Sequence, residues 1–408
     1  MAVAPIPLEL VELIISFLHP GSLNPLNGDG NFLNKSSAST TAKCALVCRA
    51  WLPPSRRILF YRVHIGQSKA YGFARLFTRP DRLTFLPFIR EVAFQHGIAE
   101  HTWMQSVFKR KLAKHFPPSV KTLVFKGFSS RKPTPEALHC TAFTGITRFE
   151  LRGSWNLALS EAVKCIASFP VLEVLEVKLV LELDQTRLPA AADQPAATLR
   201  SATFVGRGAQ PVVAWVQASG VPVTALRFSV TDMVSIVQYT AQQGPLLSSL
   251  SLAFGPNLDE RGHPLLLRDF LKHNTRLKTL TIRASPAQIV SIISSAINRH
   301  ALPELEVLRI IVQEPITQND LAAQPFWRTY YDEAPREPHY RELDRLLEPH
   351  AVLRRLIVTH LPLYGPTELR ARESELEASV MEAMPLCVAR GVVEVDTEPE
   401  GDSSFWRF

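Results

Sequence analysis

A short pattern, apolar–x–x–apolar–x–apolar, recurs along most of this 408-residue chain and restricts it to architectures made by stacking. Its eleven copies begin at Phe60, Ile89, Val120, Ile146, Leu172, Leu199, Val223, Leu247, Leu277, Leu305 and Leu353. Successive starts lie 24 to 31 residues apart, save a last gap of 48. Alternation at the end of each copy has the period of a half-buried strand. A proline stands just ahead of most copies (Pro87, Pro118, Pro170, Pro195, Pro222, Pro245, Pro303, Pro349). There it removes a ladder donor and fixes φ before pairing begins. Helical spacing fills the intervals, over Leu159 to Phe169, Val212 to Ala218, Met233 to Ala241, Leu266 to His273, Ala287 to Arg299 and Leu343 to Leu347. Units of about 27 residues cannot bury their own apolar face, so they must stack.

Strand, loop, helix, loop at this period resembles the leucine-rich repeat. The resemblance covers about Phe60 to Val395 and implies an α/β fold, an irregular solenoid with a curved parallel sheet and an outer layer of helices. A doubly wound α/β domain is the alternative for a Leu-rich sequence of this kind. Leucine-rich repeats place Asn or Cys three residues after the alternating triplet. Here those positions hold Phe128, Ser154, Val180, Arg207 and other types, so no asparagine ladder is expected. Leu175, Leu250, Leu280 and Leu308 should point into the core, and Glu173, Ser249, Lys278 and Glu306 should be exposed. The positions between inward residues, Glu176, Thr203, Arg227, Ser251, Thr281, Arg309 and Thr359, should form a polar row on a concave face. An irregular insert over 313–342 carries Phe326, Trp327, Tyr330, Tyr331 and Tyr340, and aromatics dominate binding hot spots. Arg227, Arg309, Trp327 and Tyr330 are therefore the candidate target-binding residues. Glu373 to Arg390 reads as a closing helix and Val392 to Val395 as a final edge strand, before an acidic and aromatic tail at 397–408.

Residues 1–66 follow a different pattern. Pro7-Leu8-Glu9-Leu10 opens an apolar run to Leu18. Leu10, Leu13, Ile14, Phe17 and Leu18 make one helical face, and Val11 and Ile15 a second. One core cannot cover both faces, and the surplus is what a partner would cover. Gly21 to Thr41 reads as a loop rich in Asn, Ser and Gly, within an insertion at 20–41. Val47-Cys48-Arg49-Ala50-Trp51 then falls on a helical run from Cys44 that Pro53-Pro54 should stop. This order resembles the F-box, and with the repeats it is similar to the F-box/leucine-rich-repeat proteins abundant in mushroom-forming fungi. The resemblance implies a non-catalytic receptor of an SCF-type cullin–RING ubiquitin ligase. An F-box-like domain at 1–66 would bind an SKP-type adaptor, and through it a cullin, by way of Pro7, Leu8, Glu9, Leu10, Ile14, Val47, Cys48 and Trp51. A repeat domain at 67–396 would bind a protein target; the alternative is a non-catalytic protein-interaction scaffold without ubiquitin transfer.

Composition narrows the alternatives. No run of 18 apolar residues occurs, so no membrane span is expected, and Glu9 and Glu12 interrupt the N-terminal apolar run as no secretory signal would. Five scattered cysteines fit a reducing compartment, cytoplasmic or nuclear. The net charge is +7, and the segment between Glu100 and Glu136 contains eight Lys and Arg and no acid. Such a stretch can attract nucleic acid, but no recognition-helix, finger or RNA-binding motif accompanies it, so nucleic acid is the less favoured partner. No phosphate-binding glycine loop, H-E-x-x-H, G-x-S-x-G or C-x-x-C is present. Cys44 and Cys48 lack a second Cys/His pair, so neither a metal nor a cofactor is expected.

Overall fold

The computed structural model describes residues 8–16, 35–76, 83–96, 116–129, 143–155, 158–179, 193–230, 233–254, 271, 273–296, 302–312, 337–360 and 377–396. They divide into two compact units, 1–221 with 400–408, and 222–399.

Unit 1 opens with three helices, α1 (Leu8–Ser16), α2 (Lys35–Cys44) and α3 (Leu52–Leu59). Both α1 and α2 pack on α3. Among the described residues their shared core is Val11 and Ile58, with Cys44 and Trp51 packed against them. Three sequence expectations change here. The stretch 45–51 is a series of tight turns rather than helix, with Leu46 N–H bonded to the Lys43 carbonyl and Val47 N–H to that of Cys44. Pro53-Pro54 begins a helix instead of ending one, because the first turn has no intrahelical use for the missing N–H groups. Part of the expected loop, from Lys35 onward, is helical, and the rest of it lies outside the described residues.

Six strands follow in unit 1: β1 (Arg62–Gly66), β2 (Glu91–His96), β3 (Thr122–Ser129), β4 (Arg148–Trp155), β5 (Val174–Leu179) and β6 (Ser201–Val205). Each pairs in parallel with the next. Helices α4 (Gln67–Leu76), α5 (Leu159–Ala167) and α6 (Gln210–Ala218) lie between strands in sequence, and α5 packs on α6. The inward row is aromatic. Phe94 stacks on Phe125 at 5.6 Å, Phe125 meets Phe149 edge-on at 5.8 Å, and Phe149 meets Phe169 at 5.1 Å. Between β3 and β4 the backbones approach so closely that a Cβ at Gly153 would collide with the Gly127 carbonyl, and Gly153 holds φ at +107°. Only glycine fits there.

Unit 2 holds β7 (Ala225–Val230), β8 (Ser249–Phe254), β9 (Thr279–Ala284), β10 (Val307–Val312), β11 (Arg355–His360) and β12 (Val393–Asp396), again parallel and in chain order. Among its described residues are the helices α7 (Met233–Gln243), α8 (Pro286–Ala296), α9 (Glu337–Leu347) and α10 (Pro385–Ala389). Strand order that never reverses within a unit excludes the doubly wound alternative there, whose sheet turns back at a switch point. Each of the eleven sequence copies leads into one strand, β1 to β11, and β12 is the expected edge strand. Leu175, Leu250, Leu280 and Leu308 are fully buried. Glu173 and Lys278 are exposed, while Ser249 and Glu306 are half-buried.

The turns that lack an asparagine ladder are satisfied by main chain. The Tyr61 carbonyl accepts the N–H groups of both Arg90 (2.9 Å) and Glu91 (3.0 Å). The Arg90 carbonyl accepts those of Lys121 (2.8 Å) and Thr122 (3.0 Å), and the Lys121, Thr147 and Glu173 carbonyls continue the series. In unit 2 the carbonyls of Thr224, Ser248, Lys278 and Glu306 do the same. Ser119, Thr198 and Ser248 add hydroxyl donors to carbonyls of the preceding copy. Buried backbone donors must be paired, and here the pairing needs no particular side chain.

The far end of unit 2 is closed by a reciprocal clasp. The expected single closing helix is broken at Met384 into a segment at 377–383 and α10, because Pro385 supplies no donor to a continuous helix. The buried Asp344 carboxylate of α9 instead accepts the N–H groups of Leu386 (2.9 Å) and Cys387 (2.8 Å), capping α10 from outside. Arg390 returns the contact, donating to the carbonyls of Leu347 (3.1 Å), His350 (2.6 Å) and Leu353 (3.2 Å). Burial, with a hydrogen bond to Asp344 and the charge of that carboxylate, pushes the Cys387 thiol up to about 12, so it is an inert packing group.

Candidate interaction surfaces

The N-terminal module presents apolar side chains to solvent. The helix α1 buries Val11 but leaves Leu10 and Ile14 about half exposed, at 49% and 45%. This reverses the expected order of its faces: the Leu10/Ile14 stripe is outside, because α3 meets α1 on the Val11 side. Leu46 and Val47 in the following turns are more exposed still. Glu9 and Cys48 are exposed, and Trp51 is half-buried against the core. Pro7 and the Leu8 side chain lie outside the described residues, as do Trp327 and Tyr330.

The second surface is the face of the unit 1 strands turned away from the aromatic core. It carries a lattice of charge. Within β4, Arg148, Glu150 and Arg152 alternate onto this face, and Glu176 and Lys178 of β5 lie beside Glu150 and Arg152 in register. The Lys178 ammonium sits 2.9 Å from Glu176 Oε2 and 3.4 Å from Glu150 Oε1, and it is almost completely buried. Arg148 pairs with Glu176, and Arg152 with Glu150. At the start of the sheet Arg62 of β1 pairs with Glu91 of β2. Burial alone would push the Glu176 carboxyl up. The charges of Lys178 and Arg148, the Lys178 hydrogen bond and the charge of Arg152 outweigh it and hold that carboxyl below the ordinary glutamate value.

In unit 2 the equivalent face is sparser in charge. Arg227, Ser251, Thr281 and Arg309 lie side by side in register on β7 to β10, as expected from sequence. Thr359 does not join them. The residue beside Arg309 is Ile357, and Thr359 pairs with Ile311 and Asp396, two residues farther along. In the last copy Ile357, not Thr359, stands between the inward Leu356 and Val358. The row is also less open than a polar sequence suggests. Glu176, Thr203 and Ser251 are buried, since neighbouring strands crowd side chains that stand side by side. Arg227 and Arg309 are half-buried, and Arg309 lies 3.8 Å from Asp396. Burial lowers Arg283, on the adjoining row, to about 10, which leaves it charged at neutral pH.

No protein-family model matches the chain, and no curated protein matches it either. Among solved structures it is similar to the leucine-rich repeat-containing protein LegL7 from Legionella pneumophila, at 12% identity and a TM-score of 0.43 over 79% of this chain and 98% of that one. It is also similar to a protein from Bacteroides fragilis, at 12% identity and a TM-score of 0.39 over 83% and 86% of the two chains. Likeness at that level does not reach function. The repeat character rests on the strand order and register above.

Among the described residues no group of three or more His, Cys, Asp and Glu could hold a metal ion. The described part of the basic stretch contributes Lys121, exposed, and Lys126, half-buried on β3. Among the described residues no helix is long and apolar enough to cross a membrane. Sequence reasoning missed the Glu150–Lys178 lattice. Its signal was present in the alternation Arg148-x-Glu150-x-Arg152, which puts three charges on one strand face.

Proposed function

We propose that this chain is the substrate-recognition subunit of an SCF-type cullin–RING ubiquitin ligase. On this reading it performs no chemistry itself. The N-terminal module docks on an SKP-type adaptor, the repeats hold a protein target, and the ligase's partner enzyme delivers ubiquitin by proximity. The observation that carries the reading is the exposure of Leu10, Ile14 and Val47 on a module whose described core is Val11 and Ile58, with Cys44 and Trp51 packed against them. Exposed apolar side chains gathered in this way are what a partner would cover.

The test is capture of a purified SKP-type adaptor by the full chain. Leu10→Ala/Ile14→Ala should weaken capture by more than about 2 kcal/mol if these are anchors. Both side chains are exposed, so circular dichroism should show the fold unchanged. A variant that captures the adaptor as wild type does would sink the reading.

A further inference from the structure

Three arginine–glutamate pairs on the unit 1 strand face share an asymmetry. In each, the arginine is more exposed than its glutamate: Arg62 32% against Glu91 12%, Arg148 46% against Glu176 9%, and Arg152 20% against Glu150 3%. Anions lie beneath and guanidinium groups lie above. The described charges of this face are Arg62, Lys126, Arg148, Arg152 and Lys178 against Glu91, Glu150 and Glu176, and what it offers to solvent is cationic. The described arginine pairs of unit 2 do not share it: Arg309 is less exposed than Asp396, and Arg355 and Glu394 are about equal.

The carboxylates also fix the guanidinium groups in place. Glu176 is itself held by Lys178, and Glu150 by Lys178 and Arg152, so the groups that orient Arg148 and Arg152 are anchored from below. A planar guanidinium presented in a set orientation loses little freedom when it meets a second carboxylate. Arg148 and Arg152 lie four residues apart on one strand, roughly 13 Å, which is also the reach of four residues of an extended peptide.

We propose that this face docks an acidic peptide segment of a partner protein, with Arg148 and Arg152 as the central contacts and Arg62 at the edge. Nucleic acid fits it less well. A polyanion charged at every phosphate would pass over Glu150 and Glu176, whereas a peptide can place its acids over the arginines alone. The proposal deepens the target half of the reading above and rests on it only in taking the partner to be a protein.

The experiment uses the full chain and a fluorescein-labelled oligoglutamate, followed by anisotropy, with oligoglutamine and oligouridylate of the same length as controls. Wild type should bind oligoglutamate at low salt, bind it more weakly as salt rises, and ignore oligoglutamine. R148Q/R152Q should weaken binding about tenfold or more, R148K/R152K by less, and R227Q in unit 2 not at all. In wild type, bound oligoglutamate should also protect Arg148 and Arg152 from phenylglyoxal, a readout that holds even if the glutamine variants fold poorly. Absence of oligoglutamate binding, oligouridylate binding as tight, undiminished binding by folded R148Q/R152Q, or unprotected arginines would each overturn the proposal. Adaptor capture measured in parallel keeps the two readings apart, because it depends on Leu10 and Ile14 and not on these arginines.

Discussion

In β2 to β4 the inward side carries Phe94, Phe125 and Phe149, while in β8 to β10 the corresponding positions hold Leu250, Leu280, Ile282, Leu308 and Ile310. The opposite faces differ too. At the fourth position after each copy's first apolar residue, β4 and β5 place Glu150 and Glu176, joined to cations of the same face, while β7 to β11 place Arg227, Ser251, Thr281, Arg309 and Ile357. The backbone scheme is common to both, so these differences are not needed to make strands stack. They show that one repeat geometry accepts either an aromatic or an aliphatic core. An ionic face, by contrast, stands only where each buried charge finds several partners.

The sharpest way to break this comparison is to substitute the same repeat position in both units. Glu150→Ala leaves Lys178 and Arg152 sharing fewer anions in a buried site and should cost about 3–5 kcal/mol in urea unfolding. Ser251→Ala should be neutral or slightly stabilising, because the Ser251 hydroxyl is buried and finds no hydrogen-bond partner among the described residues. Equal costs at the two positions would mean that the ionic lattice is incidental. Next in size, Leu280→Ala should cost about 2–5 kcal/mol, the range for a fully buried leucine. Leu175→Ala should fall in the same range, since both sites are packed without exposure.

A smaller effect tests the closed end of unit 2. Asp344→Asn keeps one acceptor oxygen but loses the charge that caps α10, and should cost about 0.5–2 kcal/mol. The loss should appear first as faster hydrogen exchange at Leu386 and Cys387. The last test sharpens the electrostatic side. Glu176 is depressed in the folded state, so its contribution to stability is complete above the ordinary glutamate pKa of about 4.3. That contribution is lost as pH falls through the lower folded value. Glu176→Gln should remove this part of the acid limb, and an unchanged limb would contradict the assignment.

Much of the fold was legible because alternation and proline placement are local signals. All eleven strands preceded by a repeat copy were readable, and so were the buried leucines within them. What failed was local competition. Pro53-Pro54 ends or begins a helix depending on which side packs, and only the contact between α1 and α3 decides that. The exposed stripe of α1 was likewise set by which face met α3, not by its own periodicity. The clasp of Asp344 and Arg390 joins residues more than forty positions apart, beyond any pattern window. The arginine–glutamate lattice was half visible, as charges at alternate positions, but their depth depends on the neighbouring strand.

The double-acceptor carbonyls explain one more property of this chain, the distribution of its 31 prolines. Every copy held by such a carbonyl must offer two consecutive N–H groups, as at Arg90-Glu91, Lys121-Thr122, Thr147-Arg148 and Lys278-Thr279. Proline at either place would delete a rung, and none occurs at any of these paired donor positions. A few residues upstream no such donor is required, and there the prolines gather. The ladder thus acts as a filter on mutation: it is indifferent to almost every side chain along the turn edge and intolerant of one. A chain built this way can drift far in sequence at its turns while its strands keep their order.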